Sequence, residues 1–236
     1  MKTIPIQSFL LPLLLFISLS FLEAGAQSEA QALLKWKSSL FQPHALSSCF
    51  LANSTTPCTW FGVRCNSVGS VVRLSVPNAN LNGTLDDLDF ASLPGLTKLN
   101  LNINLLYGSI PSNISALSKL TALDLSINNL NGTIPVEIGN MPALASLDLS
   151  NNQLERELPD TIAQLPNLEF ISVSNNNLSG HIPRHLGQNG HLNSVIFSNN
   201  SFSGELPPDL CKGFALRPLM GLNLVGPGYE REQGWD

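Results

Sequence analysis

Charge is scarce in this chain. Lys, Arg, Asp and Glu make up 12% of its 236 residues, with 12 basic and 17 acidic side chains and a net charge of −5. Nucleic acid is thereby excluded as a partner, because displacing counterions from phosphates takes a basic surface. Aromatics are few, at 7%. Long apolar runs are missing too. The apolar run Phe9 to Leu22 has 14 residues without a charge and contains Pro12, whereas a membrane-crossing helix needs roughly 20. The mature chain is therefore expected not to insert into a membrane. No hydrophobic tail of the lipid-anchor kind closes the sequence. Catalytic signatures are also absent: there is no G-x-S-x-G, no H-E-x-x-H and no glycine-rich phosphate loop. No enzyme activity, cofactor or metal is expected.

Residues 1–26 read as a secretory signal peptide. Lys2 gives the positive start, the apolar run follows, and Ala24-Gly25-Ala26 offers small residues for cleavage before Gln27. Secretion permits disulfides among Cys49, Cys58, Cys65 and Cys211. It also permits glycosylation at the sequons of Asn53, Asn82, Asn113, Asn131, Asn177 and Asn199, where the site is exposed.

Asn, Leu and Ser are abundant, and a repeat explains the bias. Leu96, Leu120, Leu144, Leu168 and Leu192 recur every 24 residues, and an earlier block from Val71 fits with a step of 25. The blocks follow L-x-x-L-x-L-x-x-N-x-L, a leucine-rich repeat. Alternate residues such as Leu123 and Leu125 point inward, as in a strand, and stacked repeats align these strands in parallel. Asn104, Asn128, Asn152, Asn176 and Asn200 follow each strand. Each can bond the backbone of the turn, so together they should form a ladder. Ala79 holds this place in the first block. A Gly and then Ile-Pro or Leu-Pro come next, marking a tight turn and the start of a short helical turn. Arg156 occupies one Gly slot and should be strained there if its φ is positive.

Before the repeats, Ser28 and Gln31 suggest a capping box for a helix whose apolar residues are Ala30, Leu33, Leu34, Trp36 and Leu40. A cap is needed because the first repeat otherwise exposes an apolar edge. A disulfide between Cys58 and Cys65 would staple it. A zinc site is the other use of these cysteines, but no neighbouring ligands complete it. The helix with "ALLKWKSSL", the segment "CTWFGVRC" and the I-P repeat together resemble the extracellular region of plant leucine-rich-repeat receptor-like kinases, over residues 27 to about 212. The resemblance implies an α/β solenoid: a right-handed superhelix with a parallel concave sheet, short 3₁₀ or α turns on the convex side and a helical, disulfide-stapled cap. The expected organisation is a signal peptide over 1–26, a cap over 27–70, six repeats over 71–215, and a degenerate seventh repeat with a polar tail over 216–236.

The resemblance also implies recognition of an extracellular peptide or protein, with a full-length receptor kinase as a further partner. The location implied is the extracellular space or cell wall, or the cell surface within a longer receptor. Alternatives are a truncated receptor fragment, and a secreted inhibitor of polygalacturonase. Cys49 replaces the Trp that precedes the first cap cysteine in similar proteins; it is either a free thiol or a competitor of Cys58 for Cys65. Cys211 has no later cysteine to pair with.

Candidate contacts lie on the outward sheet positions. One column runs Arg73, Lys98, Ala122, Ser146, Phe170, Ser194, and the other Ser75, Asn100, Asp124, Asp148, Ser172, Ile196. Lys98, Asn100, Asp124, Asp148, Phe170, Ser172 and Ile196 are the candidate ligand contacts. Asp124 and Asp148 should lie on adjacent strands about 5 Å apart, either attracting a cation or hydrogen-bonded locally. Phe170 and Ile196 could anchor a partner. Ile103 and Ile127, at strand ends, are expected to be partly buried. His181, His185 and His191 are read as surface residues, since Pro183 breaks any helical face.

Overall fold

In the computed structural model the described residues are 28–41 and 57–210. The expected signal peptide, Asn53, Cys49, Cys211 and the degenerate seventh repeat lie outside them.

Helix α1, residues 28–39, opens the described chain. Ser28 already lies inside the helix, and its hydroxyl donates to Ser92 Oγ at 3.3 Å. The expected capping role for Ser28 therefore does not hold. Ala30, Leu33, Trp36 and Leu40 are buried, as the apolar stripe requires, but Leu34 is exposed. The indole of Trp36 donates to the carbonyl of Thr84 at 2.8 Å, tying the helix to the first repeat. The Cys58–Cys65 disulfide closes the segment between helix and repeats.

The repeats build two sheets. The longer has seven strands in the order β1 (Val63–Cys65), β2 (Val71–Ser75), β4 (Lys98–Asn100), β6 (Ala122–Asp124), β8 (Ser146–Asp148), β10 (Phe170–Ser172) and β12 (Ser194–Ile196). All neighbours are parallel except β1, which the cap contributes antiparallel to β2. The middle residue of each repeat strand, Leu99, Leu123, Leu147, Ile171 or Val195, points into the core. Its two neighbours lie on the opposite face, following the alternation of a strand, and all but Ser172 are at least partly exposed.

A second sheet of six short strands runs along the flank: β3 (Asn82–Gly83), β5 (Leu105–Gly108), β7 (Asn129–Gly132), β9 (Gln153–Glu157), β11 (Asn177–His181) and β13 (Ser201–Ser203). The sequence pattern did not announce it, because only one residue per strand is buried: Gly83, Leu106, Leu130, Leu154, Leu178 or Phe202. Gly108 and Gly132 end their strands, Gly180 is the last but one residue of β11 and Gly204 follows β13, all at φ of 71° to 84°. Arg156 takes φ 67° in the same slot, a conformation that costs an L-residue about 1 kcal/mol or more.

Short 3₁₀ turns close the third side, at Phe90–Ser92, Ser112–Ala116, Val136–Asn140 and Asp160–Gln164. Pro111, Pro135 and Pro159 stand one residue before the last three, at φ of −70°, −67° and −60°. Each of those turns buries one isoleucine: Ile114, Ile138 or Ile162. Parallel strands, short turns and a capped end make this a leucine-rich-repeat solenoid, with one continuous core of stacked Leu, Ile and Val.

Candidate functional site

The outward face of the long sheet depends on a polar scaffold beneath it. Asn128 shows the scaffold's unit. Its Oδ1 accepts from Leu106 N at 3.0 Å, and its Nδ2 donates to the carbonyls of Leu101, Leu125 and Ser126 at 3.0, 3.1 and 3.2 Å. Asn152, Asn176 and Asn200 repeat the arrangement. Asn104 begins it, accepting from both Ala79 N and Leu81 N at 3.0 Å. The block that carries Ala79 thus has its amides satisfied by the next repeat.

The residue before each ladder Asn, and before Ala79 in the first block, is left-handed. Asn78, Ile103, Ile127, Asn151, Asn175 and Asn199 have φ between 51° and 55°. Asn tolerates this region, but a β-branched residue there is an outlier. Three of the asparagines form a second, outer ladder: Asn175 Nδ2 donates to Asn151 Oδ1 at 3.0 Å, and Asn199 Nδ2 to Asn175 Oδ1. Ile127 and Ile103 interrupt it. They are 46% and 43% exposed, partly covered at the strand ends yet leaving apolar surface open. The strand that follows Ile103 adds Leu105 and Tyr107, 45% and 49% exposed. Other repeats place Asn, Gln, Glu or Ser at these two positions. Sequence reasoning missed this edge, although the substitution of apolar for polar residues within aligned blocks was its signal.

The two columns pair across the strands in the expected register. Lys98 faces Ala122, Asn100 faces Asp124, Asp124 faces Asp148, and Ser172 faces Ile196. Ser172, however, is only 3% exposed, so as a ligand contact it is corrected: its side chain is inaccessible. Phe170 and Ile196 are half-buried, on neighbouring strands and diagonal to each other. Asp124 accepts from Ser126 N at 3.1 Å and Ser126 Oγ at 2.6 Å, and Asp148 likewise from Ser150 at 3.0 and 2.6 Å. Burial lifts the Asp124 carboxyl above its ordinary 3.8, against the Ser126 hydrogen bonds, and the nearby Asp148 charge adds to the rise. These carboxylates are held within the sheet face, so of the two open readings the local hydrogen bonds describe them.

Among the sequons, Asn113, Asn131, Asn177 and Asn199 are exposed and Asn82 is half-buried. Among the described residues no three His, Cys, Asp or Glu side chains converge as metal ligands, and no helix is long and apolar enough to cross a membrane. His181 ends β11, His185 lies in a turn and His191 in irregular backbone before β12.

Residues 26–66 match the family described as the leucine rich repeat N-terminal domain, and residues 118–178 and 191–212 match leucine rich repeat families. A probable leucine-rich repeat receptor-like protein kinase of Arabidopsis thaliana is 41% identical over 107 residues; these are 44% of this chain and 10% of that protein. The chain thus spans a small part of the curated relatives it matches. The ectodomain of BIR2 from Arabidopsis thaliana is 31% identical, with a TM-score of 0.67, covering 77% of this chain and 96% of that one. The ectodomain of the Arabidopsis receptor kinase HAESA, solved with an IDA peptide hormone ligand, is 31% identical with a TM-score of 0.75, over 86% of this chain and 35% of that one. With its cap, its repeats and its overlap with nearly a whole receptor ectodomain, the chain belongs to the family of plant leucine-rich-repeat receptor-like kinase ectodomains.

Proposed function

We propose that this chain is an extracellular recognition module that binds a peptide or protein without catalysing a reaction. The observation that carries the reading is the exposed apolar edge formed by Ile103, Leu105, Tyr107 and Ile127. Two of these residues hold a backbone conformation that the other repeats give to Asn. Strain and exposed apolar surface each disfavour the free protein, and both are suited to a surface covered by a partner. The solved HAESA ectodomain holds a peptide hormone ligand, which supports a peptide as the partner class. A full-length receptor kinase of the same family is a second partner in this reading. Secretion follows from the expected signal peptide, and the Cys58–Cys65 disulfide suits an oxidising compartment.

The test is a binding screen of the secreted protein against extracellular plant peptides, read by fluorescence anisotropy. Tyr107→Ala combined with Ile127→Asn is expected to weaken the best binder at least tenfold. A screen without binders, or equal binding by the double variant, would overturn the reading.

A further inference from the structure

The cap does more than close the core. Its strand β1 joins the long sheet and places Arg64 opposite Arg73 of β2, which in turn faces Lys98 of β4. The three cations form one row across adjacent strands, about 4.8 Å apart at the backbone. All three are exposed. They are three of the eight lysines and arginines among the described residues, in a chain whose net charge is −5. No carboxylate pairs with any of them among the described residues. Like charges facing across strands destabilise a sheet, so the row works against the fold. A concavity of about 460 Å³ lies at the arginine end of the row, lined by Gly62, Val63, Arg64, Arg73 and Ser75; Lys98 stands outside it.

We propose that Arg64, Arg73 and Lys98 anchor the acidic end of a peptide ligand. This rests on the recognition reading above and adds the ligand's chemistry and direction. Guanidinium groups hold carboxylates through paired, charge-assisted hydrogen bonds. The row spans two strand spacings, roughly 10 Å, and same-side carboxylates in an extended peptide recur at about 6.8 Å, so two of them fit. Asp124 and Asp148, further along the sheet, repel such a group and keep it at the cap end. The same strand that carries Lys98 leads within five residues to Ile103 and the apolar edge. An occupant with both acidic and apolar side chains uses both surfaces. A uronate polymer, the other polyanion of a plant wall, has no apolar side chains for the second.

The experiment uses the secreted protein and a fluorescent peptide of three glutamates followed by three leucines, with glutamines replacing the glutamates in a control. The acidic peptide is expected to bind more tightly than the control, and less tightly as salt rises. Arg64→Gln and Arg73→Gln should each weaken it about tenfold, while Lys119→Gln, an exposed cation in a turn outside the sheet, leaves it unchanged. Thermal melts of the arginine variants should match or exceed the parent, since a repulsion is removed. Equal binding of both peptides, insensitive to the arginine variants, would overturn the cationic anchor while leaving peptide recognition standing. Binding by neither peptide overturns the anchor as well, and recognition itself falls only if the peptide screen also returns nothing. Tighter binding of trigalacturonate than of the acidic peptide would give the row to uronates and overturn the peptide assignment.

Discussion

A single residue decides the most at the positions where the repeat departs from itself. Ile127 holds φ 54° where Asn151, Asn175 and Asn199 hold the same angle and bond one another. Ile127→Asn removes the β-branched strain and offers Asn151 a further amide, so a gain of about 1–2 kcal/mol is expected. A chain of this size should then melt about 2–4 °C higher for each kcal/mol, as differential scanning calorimetry would show; a lower melting temperature would refute the strain. Glu29 offers a second case. Its buried carboxylate accepts from Val71 N at 2.9 Å, and burial lifts its pKa above the ordinary 4.5 despite that bond. The folded state therefore holds a proton that the unfolded chain has released, and stability is lost as pH rises from about 4.5 through the raised value. Glu29→Gln keeps an acceptor for Val71 and discards the charge. The variant and its parent should melt together near pH 4, with the variant higher at pH 7. Identical melting at both pH values would contradict this. The Glu29 effect was not legible from the sequence, which does not reveal that α1 lies against the start of β2.

Among elements, consecutive 3₁₀ turns pack closely on one another. Gly139 lies in the turn Val136–Asn140, and a methyl group there would collide with the carbonyl and side chain of Thr161 in the next turn. Because the obstacle includes backbone, Gly139→Ala is expected to cost about 1–3 kcal/mol, the range of overpacked cores, measurable by urea unfolding; an unchanged midpoint would mean that the turns separate easily. The periodic Ile-Pro or Leu-Pro signal located the last three of these turns from sequence alone. The flanking sheet stayed hidden because its strands bury a single residue each, too few for alternation to register. Strand β1 stayed hidden for a related reason: the three residues Val63–Cys65 take their extended form by pairing with β2.

The whole molecule is a stack in which strong contacts run between adjacent repeats. Losses at one end therefore stay local. Replacing both Cys58 and Cys65 by Ser frees a loop of a few residues and should cost about 2–3 kcal/mol, spent mainly on the cap. Hydrogen exchange is expected to rise in β1 and β2 while β8 and β10 stay protected. Uniform loss of protection would show that the array unfolds as one unit. If the cap loosens, Arg64 leaves the row with Arg73 and Lys98, so the same variant should also lose the acidic peptide.

The sequence by itself determined the solenoid, the inward Leu positions and the Asn ladder. Those features rest on local periodicity and on backbone groups that need partners, and a 24-residue repeat displays both in the chain's own order. It also placed the two columns of the long sheet in register, because equivalent residues of stacked repeats must be neighbours. Only the tertiary structure decided which of those residues a ligand can reach. Ser172 is buried and Asp124 and Asp148 bond their own serines, whereas Ile103 and Ile127 are exposed. Exposure depends on how neighbouring turns shield one another, which the spacing of residues does not encode. The row of Arg64, Arg73 and Lys98 likewise needs an antiparallel cap strand to meet a parallel repeat strand, a contact that no period in the sequence predicts.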